Sequence, residues 1–218
     1  MTKEKTAVSS SKNKDTGVLV VLPPDFRFQE DSHQYFLGEK EIPGFSFLLK
    51  EFGLVDTKFY TEFSRVKGKA IHKAIELDNE GDLNESTLDH KIAPYLKAWR
   101  KYKDANYVEP ISGLVERPVV SSIYRFGCTA DVPAYIGKDR TPGIIELKSS
   151  SSLPWWVRLQ LAAQQIALSE IAGMSFPLRI ALRLGQDGHY SVKQDFGLKD
   201  REDFLALVRS YWLKKETK

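Results

Sequence analysis

Residues 143–152 read GIIELKSSSS, an apolar run closed by a carboxylate and an ammonium two positions apart. Along an extended chain the side chains alternate, so Ile144, Glu146 and Lys148 share one face while Ile145 and Leu147 take the other. Two opposite charges therefore sit on one face of what otherwise reads as a buried strand. Upstream, residues 137–143 carry glycine, aspartate, proline and threonine, the composition of a hairpin turn. A turn centred near Lys138 and Asp139 sets Asp131 opposite Glu146, and side chains directly opposite in an antiparallel pair have Cβ atoms about 5 Å apart. Pro133 weakens the pairing just beyond Asp131, so the strand is expected to bend or become an edge there.

Two carboxylates that close repel each other unless a cation lies between them. A hard divalent ion meets that need, since magnesium takes carboxylate oxygens, keeps several waters and often completes its shell with substrate phosphate. Lys148, beyond such an ion, could orient an attacking water or neutralise phosphate charge. The alternative is an exposed Glu146–Lys148 ion pair beside an unrelated Asp131.

Working outward, the chain of 218 residues with 42% apolar content can bury a sizeable core. Residues 18–218 are expected to form one domain, with its core at about 68–185, after a disordered polar tail over residues 1–17. Thirty-two basic against 29 acidic residues leave a net charge of +3, too small for composition alone to declare a nucleic-acid binder. Cys128 is the only cysteine, which rules out an intramolecular disulfide and an all-cysteine metal or iron-sulfur site built from this chain alone. The polar N-terminus lacks the apolar stretch of a secretory signal, and the longest apolar run, residues 18–22, is too short to span a bilayer. A cytoplasmic protein without a membrane partner is the expectation.

Alternating aromatics in FRFQEDSHQYFLGEKEIP suggest an N-terminal β-hairpin, with short helices at about 45–52 and 58–66. Gly68 then precedes a helix over KAIHKAIELDNE, and residues 89–104 make another. Strand candidates at 114–120, 124–136 and 143–148 form a three-strand meander. They are followed by a helix over 153–172, a strand at 177–184 and a last helix over 201–212. This order predicts an α+β fold in which helices flank a central mixed sheet built from the meander and the further strand.

In GKAIHKAIE, Gly68, His72 and Glu76 stand four apart on one helical face, beside the Ile71 and Ala74 stripe that packs inward. A packed, hydrogen-bonded core histidine is the ordinary alternative to a ligand. Arg65, Lys67 and Lys69 lie near the start of that helix, where anions are favoured, though the same residues suit a solvated face. Trp155, Trp156 and Arg158, near the start of the later helix, could stack on bases and contact phosphate, or could simply fix that helix to the core.

The motifs G-x-x-x-H-x-x-x-E, E-x-P-V, G-x-x-A-D, I-I-E-L-K and L-Q-L-A-A-Q follow in order through the chain. This combination resembles the PD-(D/E)xK nuclease superfamily in its RecB-like exonuclease branch. The segment DSHQYFLGEKEIPGFSFLLKEFG is similar to the opening of phage-type and mitochondrial-genome-maintenance exonucleases of that branch, with Ser46 matching its serine. The resemblance covers about residues 25–185. It implies a restriction-endonuclease-like core and a metal-dependent exonuclease acting on free, single-stranded DNA ends in recombination, repair or phage DNA processing.

Residue by residue, it implies that His72, Asp131 and Glu146 bind Mg2+ or Mn2+, together with the backbone carbonyl of Leu147. Lys148 would be the catalytic lysine. Gln160 would help hold DNA and that lysine, and Gln164, where tyrosine is usual, would be a DNA contact. Glu116 and Glu76 are implied as second-metal or supporting groups. A single-strand annealing or binding protein is the implied partner, and a bacterial or phage-infected cell the setting. Without the cysteines of the CRISPR-associated relatives, no iron-sulfur cluster is expected. A structure-specific endonuclease and a non-catalytic binding module are the competing readings.

Overall fold

A computed structural model describes residues 5–6, 11–12, 18–55, 61–194 and 196–217. The N-terminal elements are β1 (Lys5–Thr6), β2 (Ser11–Lys12), β3 (Leu19–Val20), β4 (Phe26–Gln29), β5 (Gln34–Leu37), β6 (Lys40–Ile42) and α1 (Phe45–Glu51). Next come α2 (Glu62–Glu80), a 3-10 turn at Glu85–Thr87, α3 (Ala93–Ala105), β7 (Glu109–Pro110), β8 (Arg117–Ser121), β9 (Phe126–Ala130), β10 (Val132–Ile136) and β11 (Thr141–Lys148). The chain continues through α4 (Val157–Ala172), β12 (Leu178–Leu184), β13 (Tyr190–Lys193) and α5 (Lys199–Glu216). Of the tail expected over residues 1–17, β1 pairs with β4 and β2 with β3; the rest of it lies outside the described residues, as does the start of the helix expected over 58–66.

The central sheet has the strand order β13-β12-β11-β10-β7. β11 and β12 run parallel across the α4 crossover while the other pairs are antiparallel, which makes the sheet mixed and the fold α+β, as expected from the sequence. Val132 stands opposite Ile145 and Pro133 opposite Ile144, the register that a turn near Lys138 and Asp139 predicts.

The three-strand meander is corrected by the structure. The expected strand over 124–136 breaks at Asp131, so that β9 pairs with β8 in a separate ribbon while β10 joins β11. The break has a hydrogen-bonding cause. Asp131 serves both sides, its carbonyl accepting from the Glu116 N–H at 2.9 Å and its Oδ2 accepting from the Leu147 N–H at 2.8 Å. Pro133, two residues on, has no N–H to extend the ladder on its own side.

Alternation along β11 and β12 divides the core in two. Ile144 and Ala181 belong to a cluster with α1, α4 and α5, whereas Ile145, Leu147, Ile180 and Leu182 pack with residues of α2 and α3. α4 is buried nearly all round, from Val157 to Ile171, as a helix with apolar residues on every side must be. α2 corrects a second expectation, because one helix runs from Glu62 through Gly68 to Glu80 where two were expected. Thr61 caps its start by accepting from Ser64 N at 3.1 Å, and Gly81 ends it at φ 77°. A single interior glycine costs about 1 kcal/mol, which does not outweigh a capped helix whose apolar stripe is buried.

The hairpin expected over 25–42 is a three-strand meander, β4-β5-β6, with its second turn at Gly38. Tyr35, 2% exposed, fixes it to the core. Its ring lies on Gly127 and Gly44, where added Cβ atoms would come within 2.2 and 2.9 Å of it. Among the described residues, no helix is long and apolar enough to cross a membrane. The Tyr35 contact makes Gly127→Ala overpacked, with an expected loss of about 1–3 kcal/mol read from the urea midpoint. An unchanged midpoint would show that the ring gives way freely.

Candidate active site

The break at Asp131 and the end of β11 place two carboxylates side by side inside the molecule. Asp131 is 5% exposed and Glu146 1%. Burial and the neighbouring Asp131 charge push Glu146 up to about 7, while Lys148 and Gln164 pull against that shift. Asp131 is likewise raised, first by burial and then by Glu116, against His72, Lys148 and the Leu147 N–H. The Cys128 thiol beside them is pushed up by burial and by both acids, so it is an inert neighbour.

His72 arrives from the middle of α2. Its Nδ1 donates to Glu116 Oε1 at 2.7 Å and lies 3.8 Å from Asp131 Oδ1. Burial acts to lower its pKa, but the charges of Asp131, Glu116 and Glu146 and the Glu116 hydrogen bond outweigh it and raise it to about 9. Glu116 approaches with its backbone at φ 51°, in the left-handed region that costs a non-glycine residue about 1–3 kcal/mol. One ligand atom from each of His72, Glu116 and Asp131 falls within 4.8 Å of the others. One nitrogen and two carboxylate oxygens at that spacing fit a single divalent cation, and the cation would offset the charge that the buried acids leave uncompensated.

Glu116 is the third member of this trio, and Glu146, the third ligand that the resemblance implied, stands beside it. Both Glu146 oxygens have partners: Oε1 accepts from Lys148 Nζ, and Oε2 accepts from Gln164 Nε2 at 2.6 Å. Lys148 Nζ also donates to Gln160 Oε1 at 3.0 Å and stands 5.0 Å from the centroid of the Trp156 ring. Gln160 and Gln164 lie one turn apart on α4, so one helix face holds both the lysine and the acid.

The residues expected to contact DNA lie in different settings. Gln164 is fully buried, its amide committed to Glu146 and to the Thr129 carbonyl at 2.9 Å, so it cannot touch a strand. Arg158 is paired with Asp200 at 2.9 Å and Asp203 at 2.7 Å, from residues of α5. Trp156 packs against Phe45, ring centroids 6.2 Å apart, whereas Trp155 is 54% exposed. Lys67 donates to the Tyr95 hydroxyl at 3.2 Å, and Glu76 pairs with Lys73 at 2.7 Å, outside the trio. Lys69 is exposed, close enough to His33 to act on its charge, and Arg65 pairs with Glu62.

Two adjoining cavities open onto the site. One of about 230 Å³ is lined by His33, Tyr35, Glu116, Thr129 and Asp131, among others, and the second, of about 430 Å³, by Lys50, Arg65, Lys148 and Trp156. Phe45, Ser46 and Gln160 line both. Lys50 and Thr129 were not singled out from the sequence. Lys50 is an ordinary basic residue of an amphipathic helix, and only the packing of α1 against β9 and α5 turns it to the cleft.

No family model matches the chain, and no curated protein matches it. Among solved structures it is similar to a crystal structure of a "Putative exonuclease" from Eubacterium rectale, at 10% identity and a TM-score of 0.43, over 78% of this chain and 71% of that one. A likeness at that level leaves the reading to the geometry of the site itself.

That geometry sets a pH dependence. Glu146, with its ordinary value of 4.5 raised to about 7, and the raised Asp131 cost the fold stability once they ionise. His72 contributes stability fully below 6.5 and loses it as pH passes about 9, so all three groups weaken the metal-free fold as pH rises. A divalent cation replaces the lost protons. Mn2+ is therefore expected to raise Tm by several degrees more at about pH 8.5 than at about pH 6. Equal shifts at both values, followed by calorimetry, would disconnect the trio from metal.

Proposed function

We propose that the chain is a divalent-metal-dependent DNA exonuclease that hydrolyses phosphodiester bonds from free, single-stranded or frayed ends. The observation that carries this reading is the trio of His72, Glu116 and Asp131 beside Glu146 and Lys148 at the end of β11, open to a cleft with Lys50 and Arg65 in its wall.

His72, Glu116 and Asp131 would hold the cation, with Glu146 and the Leu147 carbonyl as further ligands. Mg2+ or Mn2+ bound there supplies an acidified water and neutralises phosphate oxygens. Lys148, held by Gln160 and the Trp156 face, brings its ammonium to the phosphate, where negative charge grows as the water adds. The water gives a proton to solvent as it adds, the bond from phosphorus to the leaving oxygen breaks, and that oxygen takes a proton from solvent. Gln164 acts through Glu146, fixing the carboxylate without touching substrate. The exposed Trp155 offers an incoming base a stacking surface. Such an enzyme fits recombination, repair or phage DNA processing in a cytoplasm, where a single-strand annealing or binding protein would take over the strand it exposes.

The test is cleavage of linear and covalently closed circular DNA with Mg2+ or Mn2+. Linear DNA is expected to be degraded and circles left intact, and Lys148→Ala to lose about a hundredfold or more in kcat, in the range of removing one charge-stabilising donor. Activity equal in wild type and variant would remove the lysine from the mechanism. Cut circles would make the protein an endonuclease, and no cleavage in any metal would make it a binding module.

A further inference from the structure

His33 lies outside the trio and the lysine network, yet it lines the same 230 Å³ cavity as Glu116 and Asp131. Its backbone is held at φ 53°, a left-handed conformation with a cost of about 1–3 kcal/mol for a residue with a side chain. Strain of this kind persists only where surroundings enforce it, and here they can be named. Tyr35 OH lies 3.2 Å from His33 Nε2 and 3.1 Å from Thr129 Oγ1. The imidazole also meets the Phe28 ring edge-on, centroids 5.1 Å apart. Tyr35 is itself immobilised over Gly127 and Gly44.

The hydrogen bonds accommodate a tautomer with a spare donor. Burial and, after it, the nearby Lys69 lower the His33 pKa, so at neutral pH the ring is uncharged and carries one N–H. Where Thr129 donates to the Tyr35 oxygen and Tyr35 donates to Nε2, that N–H is on Nδ1. Nδ1 has no partner among the described residues. In that tautomer a clamped imidazole presents a spare donor at the wall of the cavity that Glu116 and Asp131 line.

We infer that His33 is a phosphate-binding residue of the site, its Nδ1–H donating to a phosphate oxygen of the DNA strand, with Tyr35 and Thr129 as positioning residues behind it. Lys148 lines the adjoining cavity, so a strand threaded past Ser46 and Gln160 is gripped from both sides. The inference rests on the nuclease reading above.

Its test compares His33→Ala, His33→Gln and Tyr35→Phe with wild type in cleavage of a labelled single-stranded oligonucleotide. Binding of the same oligonucleotide is followed by fluorescence anisotropy with Ca2+ in place of Mg2+, and the Mn2+-induced shift in Tm is measured on each variant. His33→Ala is expected to lose about tenfold in kcat/KM and in oligonucleotide affinity, the size of one hydrogen bond to a charged group. His33→Gln, which keeps an N–H, recovers part of both. The metal-induced shift stays at the wild-type value, a result that disruption of the metal trio would not give. Tyr35→Phe falls between wild type and His33→Ala. If wild type cleaves and His33→Ala matches it within twofold, this inference fails and the nuclease reading stands; if wild type cleaves nothing, both fall. A loss in His33→Ala accompanied by loss of the metal shift would overturn the phosphate role in favour of a structural one.

Discussion

The constraint on which this structure turns is the burial of Asp131 and Glu146 beside each other at the end of the central sheet. Each carboxylate removed from water carries a penalty of several kcal/mol, and the pair adds mutual repulsion in a medium that screens poorly. Lys148, His72, the Leu147 N–H and the Gln164 amide answer part of that cost. With Glu116 also at the site, three carboxylates face one ammonium and one imidazole, and once that imidazole gives up its proton to a metal the imbalance is the size of a divalent ion's charge. The raised values of Glu146 and His72 express the same imbalance, since protons are retained where cations are wanted.

The rest of the fold supplies rigid mounts for these groups. β11 and β12, parallel and buried on both faces, fix the ends from which Glu146 and Lys148 project. α4 is apolar around almost its whole circumference, so it has one seat against the sheet, and its two glutamines at positions 160 and 164 meet the lysine and the acid from that seat. α2 buries Ile71, Ala74 and Ile75 and thereby turns His72 toward Asp131 at the border between the two core clusters. Asp131 ties the β8-β9 ribbon to the central sheet through its own backbone and side chain, so the residue that breaks the strand also belongs to the trio that could hold a metal.

What could be read in the sequence was what local chemistry determines. The turn residues of 137–143 set the register that brings position 131 beside 146, and the alternation in β11 told which face each side chain would take. The i, i+4 spacing placed His72 on the border of the buried face of its helix. What could not be read depends on distant partners. Glu116 reaches His72 because its backbone adopts a left-handed turn fastened to Asp131, 15 positions away in the chain, and nothing in E-R-P-V announces that conformation. Arg158 resembled a phosphate contact until Asp200 and Asp203 arrived from α5. The split of the 124–136 run was signalled only faintly by Pro133, and Gly68 looked like a boundary because the packing that carries the helix through it is tertiary.

Position 164 shows how finely the charge at this site is apportioned. A cationic side chain there would neutralise Glu146 permanently, and the site would then have less demand for a metal. An apolar one would leave Oε2 buried without a partner, at a cost of about 1–3 kcal/mol or more for a charged group. Glutamine does neither. Its amide fixes the Glu146 carboxylate at 2.6 Å and reaches the Thr129 carbonyl at 2.9 Å, giving orientation but no net charge. Thr129 in turn stands behind Tyr35 and His33, so the neutral donors form one connected frame around the acids. Positive charge is thereby confined to Lys148, to His72 and to whatever cation the carboxylates draw in, and the cation is the only one of these that can come and go.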